Sequence, residues 1–265
     1  MSPSQPALAG KCALVTGSTA GLGYAIAEGL AGQGCNVILH GLDSEDAVAA
    51  ARRTLQDAHD VKVAYVRADL STDQGASQLF GVADAAFGGV DVLVNNAVVR
   101  YFAPIDQFPV EAWHRALAVN LSAAFHLVRL ALPGMRARGW GRIVNMTSVY
   151  GERGAISRVD YVTTKSALLG FTRAVAMETL ADGITCNAVS PGSVLTPGTA
   201  ERLQAIEASG IDHEQAVRQF LAGKQPSGRF VRPEDVAASV AFLCSPAARD
   251  ITGAVLPVDG GWLAS

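Results

Sequence analysis

At 265 residues, 49% hydrophobic and 17% charged, the chain is long enough for one large globular domain with a substantial core. Its net charge of −3 argues against generic nucleic-acid binding, and no uninterrupted apolar run approaches the roughly 18 residues of a membrane span. There is no Pro/Ser-rich linker, low-complexity tract or internal repeat to divide it.

The opening MSPSQPALAG has neither the basic region nor the apolar segment of a secretory signal, and residues 1–9 are expected to form a loose tail ahead of a domain spanning 10–265. Short apolar runs at 12–16, 36–39, 63–66, 90–94, 142–146, 185–189 and 254–258 predict buried strands. Helical patterns lie between them at about 21–33, 44–58, 72–87, 110–138, 161–181 and 233–244. Gly34, Gly88, Gly89, Gly139 and Gly183 stand where helices should stop. Strands alternating with helices predict parallel βαβ units: an α/β, doubly wound Rossmann-type domain with a largely parallel seven-stranded sheet and helices on both faces. Ligands of such sheets bind at the carboxyl ends of the strands. The segment 192–230 interrupts the alternation just after a strand end and is expected to cover the site as a lid.

Thr16-Gly17-Ser18-Thr19-Ala20-Gly21-Leu22-Gly23 joins the first strand to the first helix with the spacing GxxxGxG. Glycines there permit a tight turn and close backbone approach to a pyrophosphate seated on the helix N-terminus. The second strand runs into His40-Gly41-Leu42-Asp43-Ser44-Glu45-Asp46, which has acidic residues and no Arg or Lys to receive a 2′-phosphate. That pattern predicts NAD rather than NADP.

Tyr161 and Lys165, four residues apart, project from one helix face, with Ser148 thirteen residues before Tyr161 at the predicted end of a strand. A phenol is a poor base, with an ordinary pKa of about 10, and a fixed ammonium beside it favours the phenolate. A nearby hydroxyl able to hold a substrate oxygen completes a set suited to proton exchange with an alcohol or ketone. The four cysteines, Cys12, Cys35, Cys186 and Cys244, lie in apolar contexts without metal-ligand spacing and predict buried free thiols; no metal site is expected.

Together these residues resemble the short-chain dehydrogenase/reductases over nearly the whole chain. TGSTAGLG at 16–23 is similar to the family's cofactor loop, Asp69 in ADL to its adenine-side aspartate, and Asn95-Asn96-Ala97 to the motif beneath the cofactor. Asn120, Ser148, Tyr161 and Lys165 match its catalytic tetrad, and Pro191-Gly192 with Thr196 matches the strand end at the nicotinamide carboxamide. The resemblance implies cofactor contacts from Gly17, Thr19, Gly21, Leu22, Gly23, Leu42, Asp69, Leu70, Asn96, Ala97, Tyr161, Lys165, Pro191, Gly192, Val194 and Thr196. It also implies that Asn120 holds a water linking Lys165 to solvent. Val98 departs from the usual glycine and is expected to crowd the nicotinamide ribose or shift the neighbouring loop.

Within the family the resemblance is to bacterial NAD-dependent D-3-hydroxybutyrate dehydrogenases, carried by long stretches at 104–126, 129–145, 222–235 and 259–265. It implies substrate contacts from Ser148 and Trp262. The pocket otherwise diverges: where that group holds its carboxylate with two glutamines, a histidine and a lysine, this chain has Arg100, Arg202, Tyr150 and Arg158, and Ser193 replaces a tryptophan. Guanidinium forks suit carboxylate, sulfonate or phosphonate. Buried without partners they would be costly, so an anion is expected to complete them, unless they face solvent or pair with acids such as Asp160 or Glu201.

The expected function is NAD-dependent oxidation of a secondary alcohol on a small anionic hydroxy acid that is larger or more highly charged than 3-hydroxybutyrate. The alternatives are a true D-3-hydroxybutyrate dehydrogenase, a 3-oxoacyl-carrier reductase, a neutral polyol or steroid dehydrogenase, and a non-catalytic NAD-binding regulator. The resemblance further implies a cytoplasmic homotetramer that engages neither nucleic acid nor membrane.

Overall fold

A computed structural model describes residues 6–265. Seven strands, β1 (Cys12–Val15), β2 (Asn36–Gly41), β3 (Val63–Arg67), β4 (Val92–Asn95), β5 (Gly141–Met146), β6 (Ile184–Pro191) and β7 (Val255–Val258), form one sheet in the order β3-β2-β1-β4-β5-β6-β7. Every pairing is parallel, so the expected largely parallel sheet is wholly so. β1, β4, β5 and β6 are buried along their whole lengths and are mostly apolar, although β5 and β6 also bury Arg142, Asn145 and Asn187.

Side chains alternate between two cores. Ala13, Val15, Val92 and Val94 face α1 (Gly21–Ala31), α2 (Glu45–His59) and, near the carboxyl end of the chain, a helix at Pro233–Cys244. Cys12, Leu14 and Leu93 face α3 (Asp73–Phe87) and the helices that follow β4 and β5. α2 and α3 start at side-chain caps, Ser44 to Ala47 N–H and Thr72 to Gly75 N–H. Gly88 and Gly139 end α3 and the helix before β5 in the left-handed region. All four cysteines are buried free thiols; burial pushes those of Cys12, Cys186 and Cys244 up to about 12.

Four expectations are corrected. The loose tail of 1–9 lies partly outside the described residues, but Leu8 is 1% exposed and its N–H donates to Gln33 O, so the packed chain already includes it. The helix expected at 110–138 is α4 (Val110–Leu117), a π-turn (Ala118–Ser122) and α5 (Ala123–Arg138). That whole stretch is long and apolar enough to cross a membrane, contrary to the expectation that no such run exists; here α5 packs its apolar side into the second core. Finally, α6 (Val159–Glu178) ends before Gly183, where Thr179 turns its hydroxyl back to Val175 O.

The segment after β6 forms α7 (Pro197–Glu207) and α8 (His213–Leu221), followed by the 233–244 helix, α9. Leu203, Ala216, Phe220 and Leu221 make a small apolar cluster separate from both main cores.

Candidate active site

The chain reverses its direction of strand addition between β1 and β4, and the site opens at their carboxyl ends. Gly17 and Gly21 take positive φ values of 61° and 58°. A Cβ on Gly23 would come within 2.1 Å of Gly17 O, so only glycine closes this turn. Asn96 Nδ2 donates to Thr16 O and Gly17 O at 2.8 and 2.9 Å, tying the loop to the end of β4. Ala20 begins α1 with no side-chain cap, which leaves the first-turn N–H groups for an anion.

His40, passed over in the sequence, is buried beneath this loop. Gly17 N–H donates to its Nδ1 at 3.0 Å, and its Nε2 lies 3.0 Å from Ala68 O. An N–H can only donate and a carbonyl only accept, so the proton resides on Nε2. Burial lowers the pKa of His40 and keeps the ring neutral.

A groove runs along Gly17, Thr19, Leu42, Asp69, Leu70 and Ala97. Val98 and Val99 also line it, so the valine in place of glycine faces the predicted cofactor path, and Arg115 of α4 closes its far side. Leu22 turns instead to the first core. Pro191, Gly192, Val194 and Thr196 line the adjoining pocket, and the start of α7 approaches Gly21, with Pro197 Cδ 3.6 Å from where its Cβ would stand.

The four tetrad positions converge. Ser148, after β5, begins a short helical turn and its Oγ accepts from Tyr150 N–H at 3.3 Å, leaving its own hydrogen to donate. Tyr161 and Lys165 lie on the first turns of α6, 7% and 3% exposed. Lys165 Nζ is 5.6 Å from the Tyr161 ring centre and donates to Met146 O at 2.5 Å. Burial, followed by the positive charge of Arg100, brings the Lys165 pKa down to about 7. Asn120 sits in the π-turn, where its Oδ1 accepts from Val99 N–H at 2.8 Å and its Nδ2 donates to Val99 O and Thr164 Oγ1. Its amide is thus engaged with the 96–101 loop and α6 rather than with Lys165.

Beyond Tyr161 lies a cavity of about 120 Å³ lined by Arg100, Ser148, Tyr150, Arg158, Ser193, Arg202, Phe220, Lys224 and Trp262, with no acidic residue in its wall. Trp262 packs edge-on against Tyr150, and Tyr150 against Tyr161. Asp160 is no partner for the arginines: its two oxygens accept from Tyr161 N–H and Tyr101 N–H at 2.6 and 3.0 Å. Among the described residues, no carboxylate lies within 4.0 Å of the charged groups of Arg100, Arg158, Arg202 or Lys224. Of the courses left open for the arginines, exposure holds for two of them and an acidic partner for none. Arg158 is half-buried, and burial first and the neighbouring cations second lower its pKa; Arg100 and Arg202 line the mouth and remain exposed. Lys224 was missed, although it lies inside the predicted lid, within a stretch that carried the resemblance. Gln225 was missed too: 4% exposed, it accepts from Ser193 N–H at 2.6 Å and donates to Arg229 O, joining both ends of that segment.

A family model described as Enoyl-(Acyl carrier protein) reductase matches residues 17–263. The chain is 45% identical to D-beta-hydroxybutyrate dehydrogenase of Cupriavidus necator, over 97% of its own length and 99% of that protein. It is 37% identical to the enzyme of the same name from Rhizobium meliloti, over 96% and 99%. L-Sorbose reductase of Gluconobacter frateurii, complexed with NADPH and L-sorbose, superposes with a TM-score of 0.93 at 33% identity, covering 98% of this chain and 99% of that one. The chain belongs to the short-chain dehydrogenase/reductase family, as a hydroxybutyrate dehydrogenase-like oxidoreductase acting on CH–OH groups.

Proposed function

We propose that the protein oxidises the secondary alcohol of a small anionic hydroxy acid with NAD+, and that the acid is larger or more highly charged than 3-hydroxybutyrate. The observation that carries this reading is the meeting of Ser148, Tyr161 and Lys165 with a wall of cations free of acidic neighbours. The groove suits a dinucleotide: Gly17, Gly21 and Gly23 with the uncapped N-terminus of α1 would hold the pyrophosphate, and Asp69, Leu70 and Leu42 would border the adenosine. When bound, nicotinamide supplies the acceptor for the carbinol hydride.

The protein's own part is proton transfer and positioning. Ser148 Oγ–H donates to the reacting oxygen. Tyr161 takes the hydroxyl proton in oxidation and returns it in reduction. Lys165 Nζ and the Arg100 guanidinium carbon stand 5.6 and 4.8 Å from the Tyr161 ring centre, beside the phenol that moves the proton. Lys165 would also hold the nicotinamide ribose hydroxyls. Asn120 positions the 96–101 loop and α6, and the 192–230 segment covers the pocket as a lid. A screen of hydroxy acids bearing carboxylate, sulfonate or phosphonate groups, read as NADH formation, tests the reading. 3-Hydroxybutyrate as the best substrate of a broad panel would return the protein to the relatives' own activity.

NAD is favoured by the absence of Lys or Arg in 40–46. Asp43 folds back toward Gly41, its Oδ2 3.2 Å from where a Cβ there would sit, and would repel a 2′-phosphate. The competing reading, NADP, rests on Arg115 across the same groove and on the NADPH-bound relative. We expect NAD+ to exceed NADP+ by at least roughly 100-fold in kcat/KM, a few kcal/mol of discrimination. Equal steady-state efficiencies would give Arg115 the decisive role.

The proposed assembly is a cytoplasmic homotetramer. Phe125 of α5 and Met177 of α6 are large apolar side chains left exposed. Light scattering at micromolar concentration should show a mass well above the 27.5 kDa chain, and a sharp monomer peak would contradict it.

A further inference from the structure

Two pairs of cations stand against different rings of the pocket, an inner pair facing the reacting tyrosine and an outer pair facing a phenylalanine of the 192–230 segment. Arg100 and Arg158 lie against the reacting tyrosine, their guanidinium carbons 4.8 and 6.0 Å from the Tyr161 ring centre. Arg202 and Lys224 lie against Phe220 of α8, at 5.2 and 4.5 Å. Phe102 links the pairs, 4.2 Å from Arg158 and 5.9 Å from Arg202. The inner pair is carried by the loop after β4 and the residue before α6; the outer pair belongs to the 192–230 segment.

A single carboxylate offers two oxygens in one plane, enough for one guanidinium fork and too few for four cations. With no acid in the wall, the four charges repel one another: Arg202 and Arg158 both press the Lys224 pKa down, after burial. Anions are what this arrangement lacks, and they are lacking beside two rings rather than one.

We propose that the substrate carries two anionic groups flanking its secondary alcohol, the first held by Arg100 and Arg158, and that Arg202 and Lys224 form the site for the second. The proposal rests on the hydroxy-acid reading above and deepens it. Because the outer pair rides on α7 and the turn after α8, the second anion would also draw that segment onto the body. A carboxylate, sulfonate or phosphonate would serve at the outer site, since each offers oxygens to a guanidinium and an ammonium.

Two measurements decide it. The enzyme loaded with NADH is titrated calorimetrically with glutarate and with valerate, which share a five-carbon backbone and differ by one terminal carboxylate. Glutarate should bind at least about tenfold more tightly, the value of one charged hydrogen bond or more. In the doubly substituted Arg202→Gln, Lys224→Gln protein that preference should largely disappear. Equal affinities in the parent protein, or a preference that survives both substitutions, would overturn the two-anion site. In parallel, kcat/KM with NAD+ is compared for malate, 3-hydroxyglutarate and 3-hydroxybutyrate. A dianion should lead, and 3-hydroxybutyrate in the lead would overturn the proposal while sparing the hydroxy-acid reading. Should none be turned over, that reading falls, and the titration still decides whether the pocket seats two anions.

Discussion

Tyr161→Phe is expected to lower turnover by about 10³-fold or more while NAD+ binding persists, because the change removes one oxygen and leaves the ring. The ring has structural duties that phenylalanine can take over: it packs edge-on against Tyr150 and faces the charges of Arg100 and Arg158. No hydrogen bond to the Tyr161 hydroxyl occurs among the described residues, so its loss orphans no buried partner. Cofactor affinity followed by protein fluorescence should stay near that of the parent. A variant keeping a tenth of the parental rate would show that another group moves the proton.

Lys165→Met should separate catalysis from stability. The variant is expected to lose activity by a factor on the order of 10³, since it removes both the charge beside the phenol and the proposed ribose contact. It should nonetheless melt higher than the parent at neutral pH. Burial brings the Lys165 pKa from 10.5 in the ordinary state to about 7 in the fold. The unfolded chain therefore binds the proton more tightly between these values, and folding stability rises with pH across that window. Below about pH 7 the lysine is charged in both states and the cost of burying it is felt in full; toward pH 10.5 the cost vanishes. A methionine escapes it but leaves Met146 O without its donor. A net gain of about 1 kcal/mol corresponds to roughly 2–4 °C for a chain of this size. Thermal melts at pH 6.5 and pH 9.5 without cofactor check the sign: the gain must be larger at the lower pH. A gain that grows with pH would mean that Lys165 is comfortable as an ammonium.

Most of the scaffold was legible because its determinants are local. A strand buried on both faces is apolar over most of its length, and the ends of α2 and α3 are written in Ser44, Thr72 and Gly88. The glycine loop was legible because a Cβ at Gly23 is sterically impossible. What escaped depends on residues far apart in the chain. The break at 118–122 follows from Asn120 gripping Val99, twenty-one positions away, and no periodicity within the helix reveals it. Asp160 looked available to an arginine, yet it is taken by Tyr101 N–H, fifty-nine positions distant. His40 reads as an ordinary strand residue until the fold sets its ring between Gly17 and Ala68. The identity of the pocket arginines was plain from the sequence; that two of them stay wet at the mouth, joined there by Lys224, follows only from how α7 and α8 fold over the site.

The π-turn at Ala118–Ser122 has a consequence for how this chain tolerates change in length. A π-turn is an α-helix carrying one surplus residue, so α4 and α5 straddle what amounts to an insertion. Deleting Val119 would let the two helices fuse into one regular rod with better hydrogen-bond geometry. Because the wide turn already absorbs the surplus residue, the same deletion would leave the faces of α4 and α5 nearly where they stand and would disturb chiefly the aim of Asn120. Val99 would then lose the amide that binds both its N–H and its carbonyl. Local regularity and a correctly aimed amide are mutually exclusive here, and a shortened helix would be the sturdier element in the less able protein.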